Sequence, residues 1–531
     1  MTAAAARSRL RPRRCCKPSV PCLRATRNSQ RSHGHTHTGC GSAPPRARRT
    51  MTDPTLLSVA ELRMALSHRR LSPSALVQAC LRRAAAAHAA THCFAALDDA
   101  GALARAIRLE THSAHSAARA PLWGIPFAHK DVLSDPARAP RAGSLFDDLI
   151  DDPVAARRPA AVLEALHLSG AIGLGATALD ELSYGATGLN DHYGHCRNPW
   201  DPRCITGGSS GGAAAAVAAR AVPFAIAADT GGSIRIPASM CGVVGLKPTW
   251  GRLSTRGAVP LSPSQDTLGI IARTARDCAA VLDALDPTAA RVTTFDRISD
   301  LRSPLAGLRI GIARHPFFEI THDDGASVIA RALLAFESLG ASLHEQTVPG
   351  VEACDTAATV LTWREAIALH GERLRSHADR LARATRLRLE TALAAGPDDY
   401  ARALAYRPLA LRRFVDHVFS ACDVLVAPSV AVPTPRIASV AQDAAQAVRV
   451  TTSLLRANRC ISYLGLPAVS LPVGFTPDGL PVGLQLIGRP WAEGTLLDAC
   501  AAFQQATSWH RIEPVLNGTD VAGIAAEPDN G

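Results

Sequence analysis

Two glycine-rich turns constrain this chain more than anything else in it. GGSSGG (207–212) runs directly into an alanine-rich stretch (213–220), and DTGGSIR (229–235) follows, with Pro237 close behind. Six small residues ahead of a helix can aim backbone N–H groups at an anion. A nucleotide-binding P-loop would need a Lys after the run, and none follows. Gly207-x-Ser209-x-Gly211 also fits the nucleophile elbow of α/β-hydrolases, but that turn caps a buried strand, and Asn198-Pro199-Trp200-Asp201-Pro202-Arg203-Cys204 makes a poor one. A flexible linker is disfavoured because the run is embedded between apolar segments. In the second turn, Gly231 and Gly232 allow close backbone approach and positive φ. The N–H groups from Thr230 to Ser233 can then form an oxyanion hole, in which each donor contributes roughly 3 kcal/mol to acyl transfer. Ser233 sits beside those donors, and Asp229 and Arg235 can pair across the turn and hold it.

A serine hydroxyl needs a base. The chain has 54 Arg but only three Lys: Lys17, Lys130 and Lys247. A lysine that survives such a bias is a candidate for what arginine cannot do, since arginine keeps its proton in a protein and a desolvated lysine can lose it. Lys130 ends the apolar segment PLWGIPFAHK and can serve either by direct contact with Ser233 or through a second hydroxyl, for which Ser209 is the candidate. His129 is the rival base, disfavoured because a strand sends neighbouring side chains to opposite faces.

The rest of the chain reads as alternating helices and strands. Ser58-Val-Ala-Glu61 is a capping box and Ser72-Pro73 a second helix start, so 59–108 reads as helical. Strands are predicted within 121–133 and at 171–175, 308–313, 424–426, 466–474 and 481–488; helices are predicted near 159–168, 325–338 and through 355–420. This alternation predicts an α/β protein with a mixed sheet. No apolar run is long enough to cross a membrane.

The net charge of +11 belongs to the start of the chain: residues 1–50 hold twelve basic residues and no acidic one. Without them 45 basic residues face 46 acidic ones, which predicts no nucleic-acid partner. That Arg-rich segment, with its His33-Gly34-His35-Thr36-His37 tract and Cys40, reads as disordered, either ahead of a true start at Met51 or as a targeting segment. The ten cysteines beyond it show no C-x-x-C spacing, which argues against a zinc site and for a reducing, cytoplasmic setting.

Taken together, GIPFAHKD (124–131), GGSSGG with AAAAVAA (207–219) and DTGGSIRIPASMCGVVGLKPTWGRLS (229–254) resemble the amidase signature family of serine hydrolases. TALDELSYG (177–185), APSVAVPTP (427–435) and GLPAVSLPVGFTPDGLPVGLQLIG (465–488) match more weakly. The likeness runs over 56–510, leaving 511–531 as a C-terminal tail. It implies a single large α/β domain with a central mixed β-sheet of about eleven strands surrounded by helices. It also implies Lys130 as base, Ser209 as bridging serine after a cis Gly208–Ser209 bond, and Ser233 as nucleophile. Thr230, Gly231, Gly232 and the Ser233 N–H would form the oxyanion hole, with Asp229 and Arg235 supporting and Lys247 structural. No cofactor and no metal are implied. Two departures from the family pattern stand out, Ala227-Ala228-Asp229 and SQDTLG (264–269).

The expected activity is therefore hydrolysis of a carboxamide to carboxylate and ammonia or amine through a Ser233 acyl-enzyme. The expected partners are a small-molecule amide only, no nucleic acid and no membrane, with a homodimer compatible with the sequence. One alternative is the A subunit of glutamyl-tRNA(Gln) amidotransferase, releasing ammonia from glutamine; it is disfavoured because 438–465 lacks that subunit's D-P-L-x-M-Y-like segment. The other is a non-catalytic scaffold of the same fold. Phe317, Phe318, Trp363 and Tyr406 are candidate pocket aromatics, although core packing explains each as well.

Overall fold

The capping box forms as read: Ser58 Oγ accepts from the Glu61 N–H and the Glu61 carboxylate accepts from the Ser58 N–H, opening the helix Val59–Ser67. Ser72 caps the next helix, Pro73–Thr91, with Pro at its first turn. The computed structural model describes residues 53–112, 120–150, 158–286 and 305–516. The readings made for residues 1–50, including the histidine tract, and for 517–531 lie outside these. Residues 511–516 are tied to the body, for Arg220 donates to the carbonyls of His510 and Ile512 and Arg83 pairs with Glu513 at 3.4 Å.

The described body is an α/β domain around one sheet of eleven strands. In chain order they are β1 (Phe94–Leu97), β2 (Pro126–Lys130), β3 (Ile172–Thr177), β4 (Phe224–Asp229), β5 (Val244–Lys247), β6 (Thr267–Ala272), β7 (Arg309–Arg314), β8 (Ser342–Thr347), β9 (Val424–Pro428), β10 (Ala468–Phe475) and β11 (Pro481–Ile487). They lie in the order β1-β3-β2-β4-β6-β5-β10-β11-β9-β7-β8. Strand β2 pairs in parallel with β3 and β4, and β7 with β8 and β9; the other pairs are antiparallel, so the sheet is mixed as predicted.

Sequence and structure differ where local pattern is weak. The stretch 59–108 is interrupted by β1, a four-residue strand between two helices. The segment 121–133 is strand only over Pro126–Lys130. Strand β4 reads FAIAAD, rich in a helix-favouring residue, and β8 reads SLHEQT at a sheet edge with no clear apolar alternation. Both are set by tertiary pairing rather than by propensity.

One consequence of the topology positions the site. Parallel β2 and β4 end at the same edge, with Phe127 opposite Phe224 and His129 opposite Ile226. The helix Gly211–Ala218 runs back to the start of β4, so its first residues lie where β4 ends. Lys130, the 207–212 turn and the 229–235 turn are thereby gathered at the carboxyl ends of two adjacent parallel strands, where open α/β sheets place ligands. The helix is fully buried, and Gly212 explains how: a Cβ there would stand 2.4 Å from the Cys93 carbonyl oxygen and 2.6 Å from the Ala178 nitrogen.

Candidate active site

Lys130 is fully buried, and its Nζ donates to Ser209 Oγ at 2.6 Å. Burial pushes its ammonium down to about 8, against the pull of three buried carboxylates, Asp180, Asp266 and Asp229. The bond from Gly208 to Ser209 is cis. His129 turns elsewhere: its Nδ1 lies 3.2 Å from the Lys130 carbonyl oxygen and its Nε2 3.6 Å from Asp135.

Ser233 stands on the second turn, almost buried, and its Oγ has no hydrogen-bond partner among the described residues. The two turns are stitched together by backbone: the Ser210 N–H donates to the Ser233 carbonyl at 3.2 Å, and Ser210 Oγ donates to the Ala228 carbonyl at 3.1 Å. Direct contact between Lys130 and Ser233 is not made; the lysine reaches Ser209 instead.

Asp229 organises the second turn. Its Oδ1 accepts the Gly232 N–H at 2.8 Å and its Oδ2 the Ile234 N–H at 3.1 Å. Arg235 closes a two-point ion pair on the same carboxylate, at 3.0 and 2.9 Å, with both side chains at 0% exposure. Burial alone would raise the Asp229 carboxyl, but Arg235 outweighs it and holds it down at about 2. Arg235 reaches onward to Gln485 Oε1 and Ser462 Oγ, each at 2.6 Å, tying the turn to β11 and to the helix Arg459–Tyr463.

Gly232 departs from its expected place among the oxyanion donors, because its N–H is already taken by Asp229. What Gly232 supplies is conformation: its φ is +134°, and a Cβ there would stand 2.8 Å from both Asn458 Cβ and Ile236 Cδ1. Among the described residues, the N–H groups of Thr230, Gly231 and Ser233 have no acceptor within the chain. The Thr230 hydroxyl donates to Asp266 at 2.6 Å. Lys247 is buried, donates to the Pro248 carbonyl at 3.0 Å, and is pushed down to about 7 by burial and by the nearby Arg235. Cys241 is a buried thiol 3.6 Å from the Thr206 carbonyl, outside this group.

A cavity of about 480 Å³ opens onto Ser233, Thr230 and Gly231. Trp363, alone of the four aromatics singled out in the sequence, lines it. Phe318 packs into a core cluster, Tyr406 lies against it, and Phe317 stacks under Arg456. Two guanidinium groups face the cavity. Arg459 is neutralised by Asp355, at 2.7 and 2.9 Å. Arg388 is not: it lies 4.3 Å above the centroid of the Tyr184 ring, and its buried Nε has no acceptor. Nothing in the sequence marked Arg388 out among 54 arginines, because only the fold tells a paired arginine from an unpaired one. Among the described residues no cluster of His, Cys, Asp and Glu could hold a metal ion, and no helix is long and apolar enough to cross a membrane.

The family model described as Amidase matches residues 75–497. The A subunit of glutamyl-tRNA(Gln) amidotransferase from Marinobacter nauticus is 35% identical over 493 residues, covering 86% of this chain and 99% of that protein. The corresponding protein of Moorella thermoacetica, of the same name, is 38% identical, covering 77% and 89%. Among solved structures, a chain of a vestigial protein complex that reveals the evolutionary origins of an s-triazine catabolic enzyme superposes with a TM-score of 0.76 at 31% identity, over 85% of this chain and 98% of that one. The peptide amidase of Stenotrophomonas maltophilia does so with a TM-score of 0.72 at 28% identity, over 89% and 99%. The two relatives named as a subunit of a glutamyl-tRNA(Gln) amidotransferase overturn the expectation of a small-molecule partner alone and no nucleic acid. That expectation rested on the balanced charge of the body, and the net charge of one chain does not report which partners a family of such chains works with.

Proposed function

The chain belongs to the amidase family, so it is an enzyme of amide C–N bonds, and on that premise we propose that it releases ammonia from glutamine as the A subunit of an amidotransferase. Two relatives bearing that name match over nearly their whole length, which supports this reading over a stand-alone hydrolase. Neutral Lys130 takes a proton from Ser209, which takes one from Ser233. Ser233 Oγ attacks the amide carbonyl, whose oxygen gathers charge beside the N–H groups of Thr230, Gly231 and Ser233. The proton returns to the leaving nitrogen, ammonia departs, and water releases the acyl group. The cysteines of the described body are all free and buried, which agrees with a cytoplasmic setting.

The single observation that carries the substrate class is Arg388. A half-buried guanidinium with an unused donor, facing the nucleophile across the cavity, suits an amide that also bears a carboxylate, as glutamine does. Arg388→Met is expected to raise KM for glutamine by roughly 10- to 100-fold, the worth of charge-assisted hydrogen bonds of about 1.5–3 kcal/mol. Turnover of a neutral amide of similar size should barely change; an equal loss on both would remove Arg388 from substrate recognition.

The deciding experiment follows ammonia release from glutamine and a panel of small amides, with and without glutamyl-tRNA(Gln) and the partner proteins encoded in the same genome. Ser233→Ala and Lys130→Ala run beside the wild type. The expected result is glutamine turnover that depends on the partners and disappears in both variants. Turnover of an amide by the chain alone would favour the second reading, a stand-alone amidase, to which the missing segment in 438–465 points. Activity surviving in Ser233→Ala would sink the mechanism itself.

A further inference from the structure

Asp180, in the stretch TALDELSYG, takes no part in the roles above, yet it is buried behind the first glycine-rich turn. Its Oδ1 accepts the N–H and the hydroxyl of Thr187, at 3.1 and 2.9 Å, and its Oδ2 accepts the Gly188 N–H at 2.7 Å. That same Oδ2 lies only 2.0 Å from where a Cβ on Gly208 would stand, with the Thr187 and Gly188 nitrogens at 2.9 and 2.8 Å. The carboxylate and its loop are therefore packed on the residue that precedes Ser209, the acceptor of the Lys130 hydrogen bond.

Three buried carboxylates face Lys130, and the other two are otherwise engaged. Asp229 is neutralised by Arg235. Asp266 is taken up by the Thr230 hydroxyl and the N–H groups of Leu261 and Ser262, with the Glu365 carboxylate near it. Asp180 makes no ion pair among the described residues; Lys130 and Arg388 are cations near it, the buried Cys196 thiol is adjacent, and Glu181, next in the chain, is turned to His192 at 3.0 Å.

We propose that Asp180 is a positioning residue for the reaction: it braces Gly208 so that Ser209 meets Lys130, and its fixed negative charge stabilises the ammonium that Lys130 becomes on taking the proton. This rests on the Lys130–Ser209–Ser233 reading. The role asks no proton of Asp180, whose two oxygens already accept three hydrogen bonds from Thr187 and Gly188; the proton moves from Ser233 to Ser209 to Lys130 and back to the leaving nitrogen. Burial raises the Asp180 carboxyl, and the Thr187 and Gly188 hydrogen bonds, with Lys130, work against that rise.

The test compares the pH dependence of kcat/KM in wild type, Asp180→Asn, Asp180→Ser and Thr187→Val, all as full chains with the amide the wild type turns over best. Taking the negative charge from beside Lys130 disfavours its charged form, so the acid limb should move to lower pH in both Asp180 variants, by about one unit. The plateau should fall at the same time, because the ammonium formed in the reaction loses its counter-charge. Thr187→Val loosens the brace and keeps the charge, so rate should fall with the limb in place. Asp180→Ser is smaller than Asn and still accepts a hydrogen bond, which covers a failure of Asp180→Asn to fold. A limb that stays put in both Asp180 variants, or loss of folding in both, would overturn the proposal. If Lys130→Ala retains activity, the underlying catalytic reading fails instead, and that outcome is separate.

Discussion

Lys130→Arg is expected to lower kcat/KM by about 10³- to 10⁴-fold, close to the loss in Lys130→Ala and near the upper range for a general base. Arginine keeps the charge and length needed to donate to Ser209, so a purely structural lysine would tolerate it. It cannot give up its proton, so a base would not. The wild-type pH profile supplies the sign. The base acts when neutral, and burial has brought Lys130 down to about 8. Activity should therefore rise with pH through about 8 and level off above it. The same profile with the limb near the ordinary lysine value of about 10.4 would mean the folded site hydrates the ammonium. Equal activity in Lys130→Arg and wild type would remove the lysine from the chemistry.

How much of this was legible beforehand depends on where the information lies. The family, the sheet and the grouping of Lys130, Ser209 and Ser233 came from contiguous motifs whose glycines have local steric reasons to be there. Asp229 and Arg235 lie six residues apart on one turn, so their pairing was readable too, although not their complete burial. What sequence could not reach is relational. Arg388 matters because Arg459 is paired and it is not, and that difference depends on Asp355, over a hundred positions away from Arg459. Gly232 looked like one donor among four until Asp229 claimed its N–H. Asp180 was one letter in the weakly matching stretch TALDELSYG and proved to face Gly208, 28 positions along the chain. The reading of partners failed for a different reason: it inferred what an assembly binds from the charge of one chain.

Asp229→Ala should be the most damaging single change outside the proposed triad. It strips the Gly232 and Ile234 N–H groups of their acceptor and leaves Arg235 charged at 0% exposure with no counter-ion. Breaking one side of a buried pair costs about 3–5 kcal/mol, mostly for the charge left behind. The turn that carries Ser233 loses its anchor at the same time, so kcat should fall together with the melting temperature. The two effects can be separated. In Asp229→Asn with Arg235→Met no charge is stranded, and stability should recover most of the loss. Activity should not recover, because an amide oxygen cannot accept on both sides as the carboxylate does, and the N–H groups of Gly231 and Ser233 would no longer be aimed together. Thermal melts and kcat for wild type, Asp229→Ala and the double variant make the measurement. If activity returns in step with stability, the Asp229–Arg235 pair only holds the fold; if Asp229→Ala melts with the wild type, the buried pair is not what fixes the turn.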